Sequence, residues 1–254
     1  MSRITPSLEQ AAARIAEGGV VAFSGAGISV ESGIPDFRSG GGLWERFDPM
    51  DHATIDAFRA APARVWAMFR EVHRVLSRSE PNPAHHSLME LERAGVVQGV
   101  VTQNIDNLHQ RAGSRRVVDY HGNAQLLHCL WCGARYPGSH PADEDGVPYC
   151  ACGRPLKPTV VLFGEIIPRE ARERAEALAA SARTVLVVGT SGLVEPAASL
   201  PVMAREAGAS VIEVNLEPSA LTDGVTDIFL PGRASEVLSA LQGEVARLGV
   251  RSRD

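Results

Sequence analysis

The sequence predicts an α/β protein, a doubly wound parallel sheet joined to a smaller second unit, and three observations carry that expectation. Short β-branched runs alternate along the chain with segments of helical apolar period, the pattern of parallel strands linked by crossover helices. Polar residues and glycines follow the strand candidates directly, where open α/β sheets build their ligand crevice. Two stretches break the alternation, one glycine-rich and then helical, the other dense in Cys, Gly and Pro.

Each element can be placed in order. Strands are expected at Gly19 to Phe23, Val96 to Val101, Val117 to Tyr120, Thr184 to Val188, Ser210 to Val214 and Ile228 to Leu230. Helices are expected at about Leu8 to Glu17, Pro83 to Arg93, Arg169 to Ala182, Pro196 to Ala207 and Ser235 to Leu248, each beside a strand as a doubly wound sheet requires. Six strands with flanking helices make a Rossmann-like large domain from about 1–36, 81–121 and 159–254. The interrupting stretches, a helical insertion at 37–80 and a zinc ribbon-like one at 122–158, are expected to pack together as a small domain.

The chain of 254 residues, 44% hydrophobic and 22% charged, can bury a full core, which excludes disordered and fibrous classes. With 25 Lys+Arg against 30 Asp+Glu the net charge of -5 offers no attraction to phosphate backbones or anionic lipid, so neither nucleic acid nor membrane is expected as a partner. Lys157 is the sole lysine, and every other side-chain cation outside histidine is a guanidinium. No run approaches the roughly 20 apolar residues of a spanning helix, and the first residues lack a signal-peptide pattern, so a cytoplasmic setting is expected.

The first strand runs into Ser24-Gly25-Ala26-Gly27-Ile28-Ser29, where backbone N–H groups can close on a pyrophosphate. The third glycine of a dehydrogenase fingerprint would fall at Val30, which weakens a hydride-transfer reading. Beyond the other strands stand Gln103-Asn104-Ile105-Asp106, His121-Gly122, Gly189-Thr190-Ser191 and Asn215-Leu216-Glu217. Eight histidines occur, and most such residues are structural; His121 differs because it ends a strand and precedes glycine, which leaves an imidazole beside the crevice for proton transfer.

All four cysteines fall in Cys129-x-x-Cys132 and Cys150-x-Cys152. Two thiolate pairs on turns can make a tetrahedral four-cysteine zinc site in a segment with little core of its own. Such a shell has no open position, so the metal's role is structural; disulfides or free thiols are the alternative.

In order and together, Gly25-Ala26-Gly27-Ile28-Ser29, Gly33-Ile34-Pro35-Asp36-Phe37-Arg38, Thr102-Gln103-Asn104-Ile105-Asp106, His121-Gly122, the four cysteines, Val160-Val161-Leu162-Phe163-Gly164-Glu165, Gly189-Thr190-Ser191 and Val214-Asn215-Leu216-Glu217 resemble the sirtuins, NAD-dependent protein deacylases. The resemblance implies NAD as a consumed co-substrate, a structural zinc ion and an acyl-lysine protein or peptide as partner. It implies that the acyl oxygen attacks the nicotinamide ribose as nicotinamide leaves, and that His121 then acts as general base, giving O-acetyl-ADP-ribose and free lysine. Catalytic roles fall to His121, Asn104 and Asp106. NAD contacts fall to Gly25, Ala26, Gly27, Ile28, Asp36, Phe37, Arg38, Gln103, Ile105, Gly189, Thr190, Ser191, Asn215, Leu216, Glu217 and Ala234. His121, Val161, Phe163, Gly164 and Glu165 would line the peptide channel.

Relatives that remove succinyl or malonyl groups carry a Tyr-x-x-Arg pair, and an ungapped alignment from Trp44 puts Phe69 and Val72 at those places. Without hydroxyl and guanidinium a buried acyl carboxylate lacks partners, so deacetylation or removal of another neutral acyl group is expected. The alternatives are a mono-ADP-ribosyltransferase using the same site and a non-catalytic NAD or ADP-ribose binding module.

Overall fold

The computed structural model describes residues 5–35 and 43–249. Asp36, Phe37 and Arg38 of the expected NAD site lie outside the described residues. Helix α1 (Pro6–Ala16) opens with Thr5, whose hydroxyl accepts from the Leu8 amide at 3.3 Å, and leads into β1 (Val20–Ser24). A 3-10 segment, Ala26–Ser32, follows. Then come α2 (Leu43–Arg46), α3 (Pro49–His52), α4 (Ile55–Ala60), α5 (Pro62–Leu76), α6 (Pro83–Arg93), β2 (Val97–Thr102), α7 (Leu108–Ala112) and β3 (Val117–Asp119). The cysteine-bearing stretch forms β4 (Leu126–Cys129), β5 (Arg135–Pro137) and β6 (Leu156–Pro158). Last are α8 (Arg169–Ser181), β7 (Thr184–Val188), α9 (Ser199–Glu206), β8 (Ser210–Asn215), β9 (Ile228–Pro231) and α10 (Ala234–Leu248).

The six expected strands form one parallel sheet in the order β3-β2-β1-β7-β8-β9. Strand order reverses between β1 and β7, so a crevice opens beyond Ser24 and Val188, which pair directly. Alternate side chains feed two cores. Val20, Ala22, Leu186, Val188, Ile212 and Val214 pack under α1, α6 and α10, whereas Val21, Phe23, Val185, Val187 and Val211 pack under α8 and α9. Helix α9 starts at Ser199, three residues later than expected, because residues 194–198 form a turn closed by Ala198 N–H to Val194 O at 2.9 Å. Strand β3 stops at Asp119, where the Gly122 amide turns back onto the Asp119 carbonyl at 2.9 Å.

The strands β5-β4-β6 make a separate antiparallel sheet. Helix α5 presents Val65, Met68, Phe69 and Val72 along one face, an i, i+3, i+4, i+7 stripe, and packs with Ala53, Phe58, Val160 and Leu162. Trp66 joins the two interrupting stretches: it packs in both small clusters, and its indole N–H donates to Leu156 O at 2.9 Å. Among the described residues no helix is long and apolar enough to cross a membrane.

Candidate active site and metal centre

A cleft of about 900 Å3 runs from the tips of β1, β7, β8 and β9 to the middle of α5. Gly25, Ala26, Gly27, Gln103, Asn104, Ile105, Gly189, Thr190, Ser191, Asn215, Leu216, Glu217 and Ala234 line it on the sheet side. Val161, Phe163, Gly164, Glu165, Phe69 and Val72 line its other end, and His121 stands on the same wall. The structure therefore brings together nearly all residues expected from sequence. Two differ. Ile28 is fully buried and packs into the core under α1 and α6, and the Asp106 carboxyl borders a smaller neighbouring cavity with Ser29, Ile34 and Val72.

The glycines of the first turn have a reason that precedes any ligand. A Cβ on Gly27 would come within 2.6 Å of Gly189 Cα, and the Gly27 amide donates to Gly189 O at 2.8 Å, so the loop crosses β7 too closely for any side chain. Gly122 is equally constrained, with φ +69° and a hypothetical Cβ 2.0 Å from Thr159 O. That turn points the preceding His121 into the cleft wall.

His121 Nδ1 lies 3.1 Å from Gln103 O, and a carbonyl only accepts, so the neutral ring carries its proton on Nδ1 and keeps the Nε2 lone pair. Burial lowers its pKa from the ordinary 6.5, against the opposing pull of the Gln103 bond. A neutral ring with one fixed tautomer is the form a general base needs.

Asn104 Nδ2 donates to Gly25 O at 3.1 Å and to Ser29 Oγ at 3.2 Å, and its Oδ1 is an acceptor that meets no donor among the described residues. Asp106 accepts from Ser29 Oγ at 2.7 Å and from Leu108 N at 2.9 Å, while burial raises its pKa. Gln103 Nε2 donates to Thr190 Oγ1 at 2.9 Å and Asn215 Nδ2 to Thr190 O at 2.9 Å, so three strand ends are cross-linked around Thr190.

Sequence reasoning missed several contributors. Glu213, fully buried in β8, accepts from Thr222 Oγ1 at 2.9 Å and Thr226 Oγ1 at 2.8 Å and so holds down the loop after Glu217. An acid inside an otherwise aliphatic strand was its only sequence signal. Gly232 and Arg233 also line the cleft beyond β9, where the strand-end rule would have found them. Beneath Ser24 lies a buried pair, His109 and His85, with ring centroids 4.9 Å apart and His109 Nε2 2.9 Å from Ser24 Oγ.

Away from the cleft, Cys129, Cys132, Cys150 and Cys152 place their four sulfurs within 4.8 Å of one another, with Cys129–Cys152 at 3.6 Å and Cys132–Cys150 at 3.5 Å. A tetrahedral shell with zinc–sulfur bonds near 2.3 Å sets sulfurs about 3.8 Å apart, so the four thiols are gathered closely enough to hold that ion. The Cys152 backbone amide and then the Tyr136 hydroxyl stabilise the Cys150 thiolate and pull its pKa down to about 6. Disulfides are absent among the described residues.

Comparison with known proteins places this geometry. Residues 25–196 match the model of the Sir2 family. An NAD-dependent protein deacylase 2 of Pyrobaculum aerophilum is 51% identical over 89% of this chain and 91% of its own. A solved Sir2 homologue in complex with NAD has a TM-score of 0.88 at 39% identity, covering 94% of this chain and 94% of that one. A Sir2 protein bound to a myristoylated histone peptide has a TM-score of 0.77 at 38% identity, covering 95% and 97%. On the family match and the identity to such relatives, the chain belongs to the Sir2 family.

Proposed function

We propose that the chain is an NAD-dependent protein lysine deacylase that acts on acetyl-lysine and on other uncharged acyl-lysines. The observation that carries this reading is the single cleft in which a neutral, tautomer-fixed His121 stands between the sheet tips and an apolar channel. NAD supplies a ribose carbon that becomes electrophilic as nicotinamide departs.

The chain's residues divide the remaining work. The turn 25–27 and the cross-linked tips at Thr190 and Asn215 hold the dinucleotide, and the Asn104 Oδ1 acceptor orients a ribose hydroxyl or water. Asp106, fixed by Ser29 and Leu108, takes the carboxamide of nicotinamide in the adjoining cavity. His121 Nε2 takes the proton from the ribose hydroxyl that captures the acyl group. An extended peptide fits the wall formed by Val161 to Glu165, where main-chain groups can pair as an added strand. The segments 43–80 and 122–158, joined through Trp66, act as a small domain closing one side of that channel.

At the acyl end, Phe69, Val72, Met68 and Val160 offer neither hydroxyl nor guanidinium. Among the described residues, the two arginines near Phe69 and Val72 in sequence have partners: Arg70 Nη1 donates to Gly146 O at 3.0 Å, and Arg74 pairs with Glu71. A succinyl carboxylate would therefore be buried unpaired. Mass spectrometry of acetyl-, longer apolar acyl- and succinyl-lysine peptides incubated with NAD tests this. Loss of the neutral acyl groups with stoichiometric nicotinamide is expected; succinyl removal at the acetyl rate, or an ADP-ribosylated protein with the peptide unchanged, would contradict it.

A further inference from the structure

The wall of the acyl-lysine channel is one continuous strip that starts as β6 in the cysteine-bearing sheet and ends at Glu165. Its edges are fixed by backbone bonds: Thr159 N–H to Leu126 O at 2.9 Å, Val161 N–H to His121 O at 2.8 Å, Phe163 N–H to Ala53 O at 2.9 Å and Ile55 N–H to Phe163 O at 3.0 Å. The strip thus touches the small sheet, the backbone of His121 and the turn before α4 in succession.

Under it lies Lys157, whose side chain is 1% exposed. An ammonium has three donors and no acceptor, and all three are used here. They meet Pro158 O at 3.0 Å, Val160 O, and Glu165 Oε2 at 2.9 Å. The same Glu165 oxygen accepts the Leu162 amide at 2.7 Å. Both ends of the strip are therefore drawn to one cation, which closes residues 158–165 into a loop of fixed shape. His128, the cross-strand partner of Lys157, adds no anion to the pair.

We propose that Lys157 is a positioning residue for the acyl-peptide channel, whose ammonium sets the shape of the strip 158–165 against His121 through two backbone carbonyls and the Glu165 carboxylate. The inference rests on the deacylase reading above. Its chemistry accounts for why the one lysine of a chain with 25 Lys+Arg sits here. A guanidinium spreads its donors over a planar fork and cannot converge three of them from a single atom. An acylated amine would keep one N–H and no charge, stranding the Glu165 carboxylate. Full burial keeps the amine from the modification the enzyme reverses.

Steady-state kinetics of wild type, Lys157→Arg and Lys157→Met test the role, with bound zinc and ADP-ribose binding as checks of folding. The peptide KM is expected to rise about threefold in the arginine variant and about tenfold in the methionine variant, while the NAD KM stays within about twofold, because the lost interaction shapes only the peptide wall. An unchanged peptide KM in either folded variant, or equal rises in both KM values, would overturn the inference. Wild type without NAD-dependent turnover would instead sink the underlying reading. A second measurement needs no variant: excess N-hydroxysuccinimidyl acetate is added to the native enzyme and sites are mapped by mass spectrometry. Lys157 is expected to stay unmodified until guanidinium chloride unfolds the protein; native acetylation of Lys157 with an unchanged peptide KM would overturn the proposal.

Discussion

The two sheets of this molecule are stabilised by different physics. Among the described residues, the parallel sheet lies between clusters of 24 and 17 buried side chains. The antiparallel sheet has a cluster of four, two of which are the cysteines Cys129 and Cys150. A large sheet can be held by aliphatic burial at roughly 25 cal/mol per Å2. A three-stranded sheet whose core cluster holds only Leu127 and Leu156 beside two cysteines cannot, and a metal bound by the four thiols would take over the role. The division also separates duties: the robust sheet carries the polar strand tips of the cleft, and the metal-dependent one carries the start of the peptide wall.

Removing the metal should break the comparison most visibly. Cys129→Ala, or chelation, withdraws binding free energy on the order of 10 kcal/mol from the small sheet. Hydrogen exchange is expected to become fast across residues 126–158 while β7 stays protected. Equal protection of both sheets without zinc would mean that the small sheet stands by itself.

The converse change is smaller. Leu186→Ala, in the fully buried centre of β7, should cost about 2–5 kcal/mol on denaturant unfolding while bound zinc stays at one per chain. Loss of zinc in that variant would show that the two sheets unfold as one unit.

The smallest effect lies in the pH dependence of the large sheet. Burial lowers His109 to about 4 and lowers His85 to about 2, the latter with help from the His109 and His86 charges. Both imidazoles bind protons more weakly folded than unfolded, so their contribution is intact above pH 6.5 and is lost as pH falls, down to about 4 for His109 and about 2 for His85. Each group then costs about 1.4 kcal/mol per pH unit. Urea midpoints compared between pH 6.5 and 4.5 should show a slope reduced by about one proton in His109→Asn. An unchanged slope would mean that His109 is charged in the folded state.

The large sheet was legible in the sequence because its strands are short apolar runs with polar residues at their ends, and the rule that ligands sit beyond those ends located His121, Asn104 and Thr190 together. The metal centre was legible through cysteine spacing alone. Less legible were features that depend on contacts between distant segments. The close crossing of Gly27 over Gly189, Glu213 under the loop at Thr222, and the clamp from Lys157 to Glu165 each pair groups whose proximity only the folded chain creates. The start of α9 was misplaced because residues 194–198 share the apolar character of a helix but form a turn. Ile28, expected at the cofactor from the loop motif alone, turns its side chain into the core from the 3-10 segment that follows β1.

The central claim is that the imidazole of His121 serves as base for a reaction that spends one NAD per acyl group removed. Simultaneous quantification of nicotinamide and deacetylated peptide, for wild type and His121→Ala, measures it directly. Equal yields in wild type and a rate about 100- to 10,000-fold lower in the variant are predicted. Deacetylation without nicotinamide release, or a variant as fast as wild type, would contradict the account.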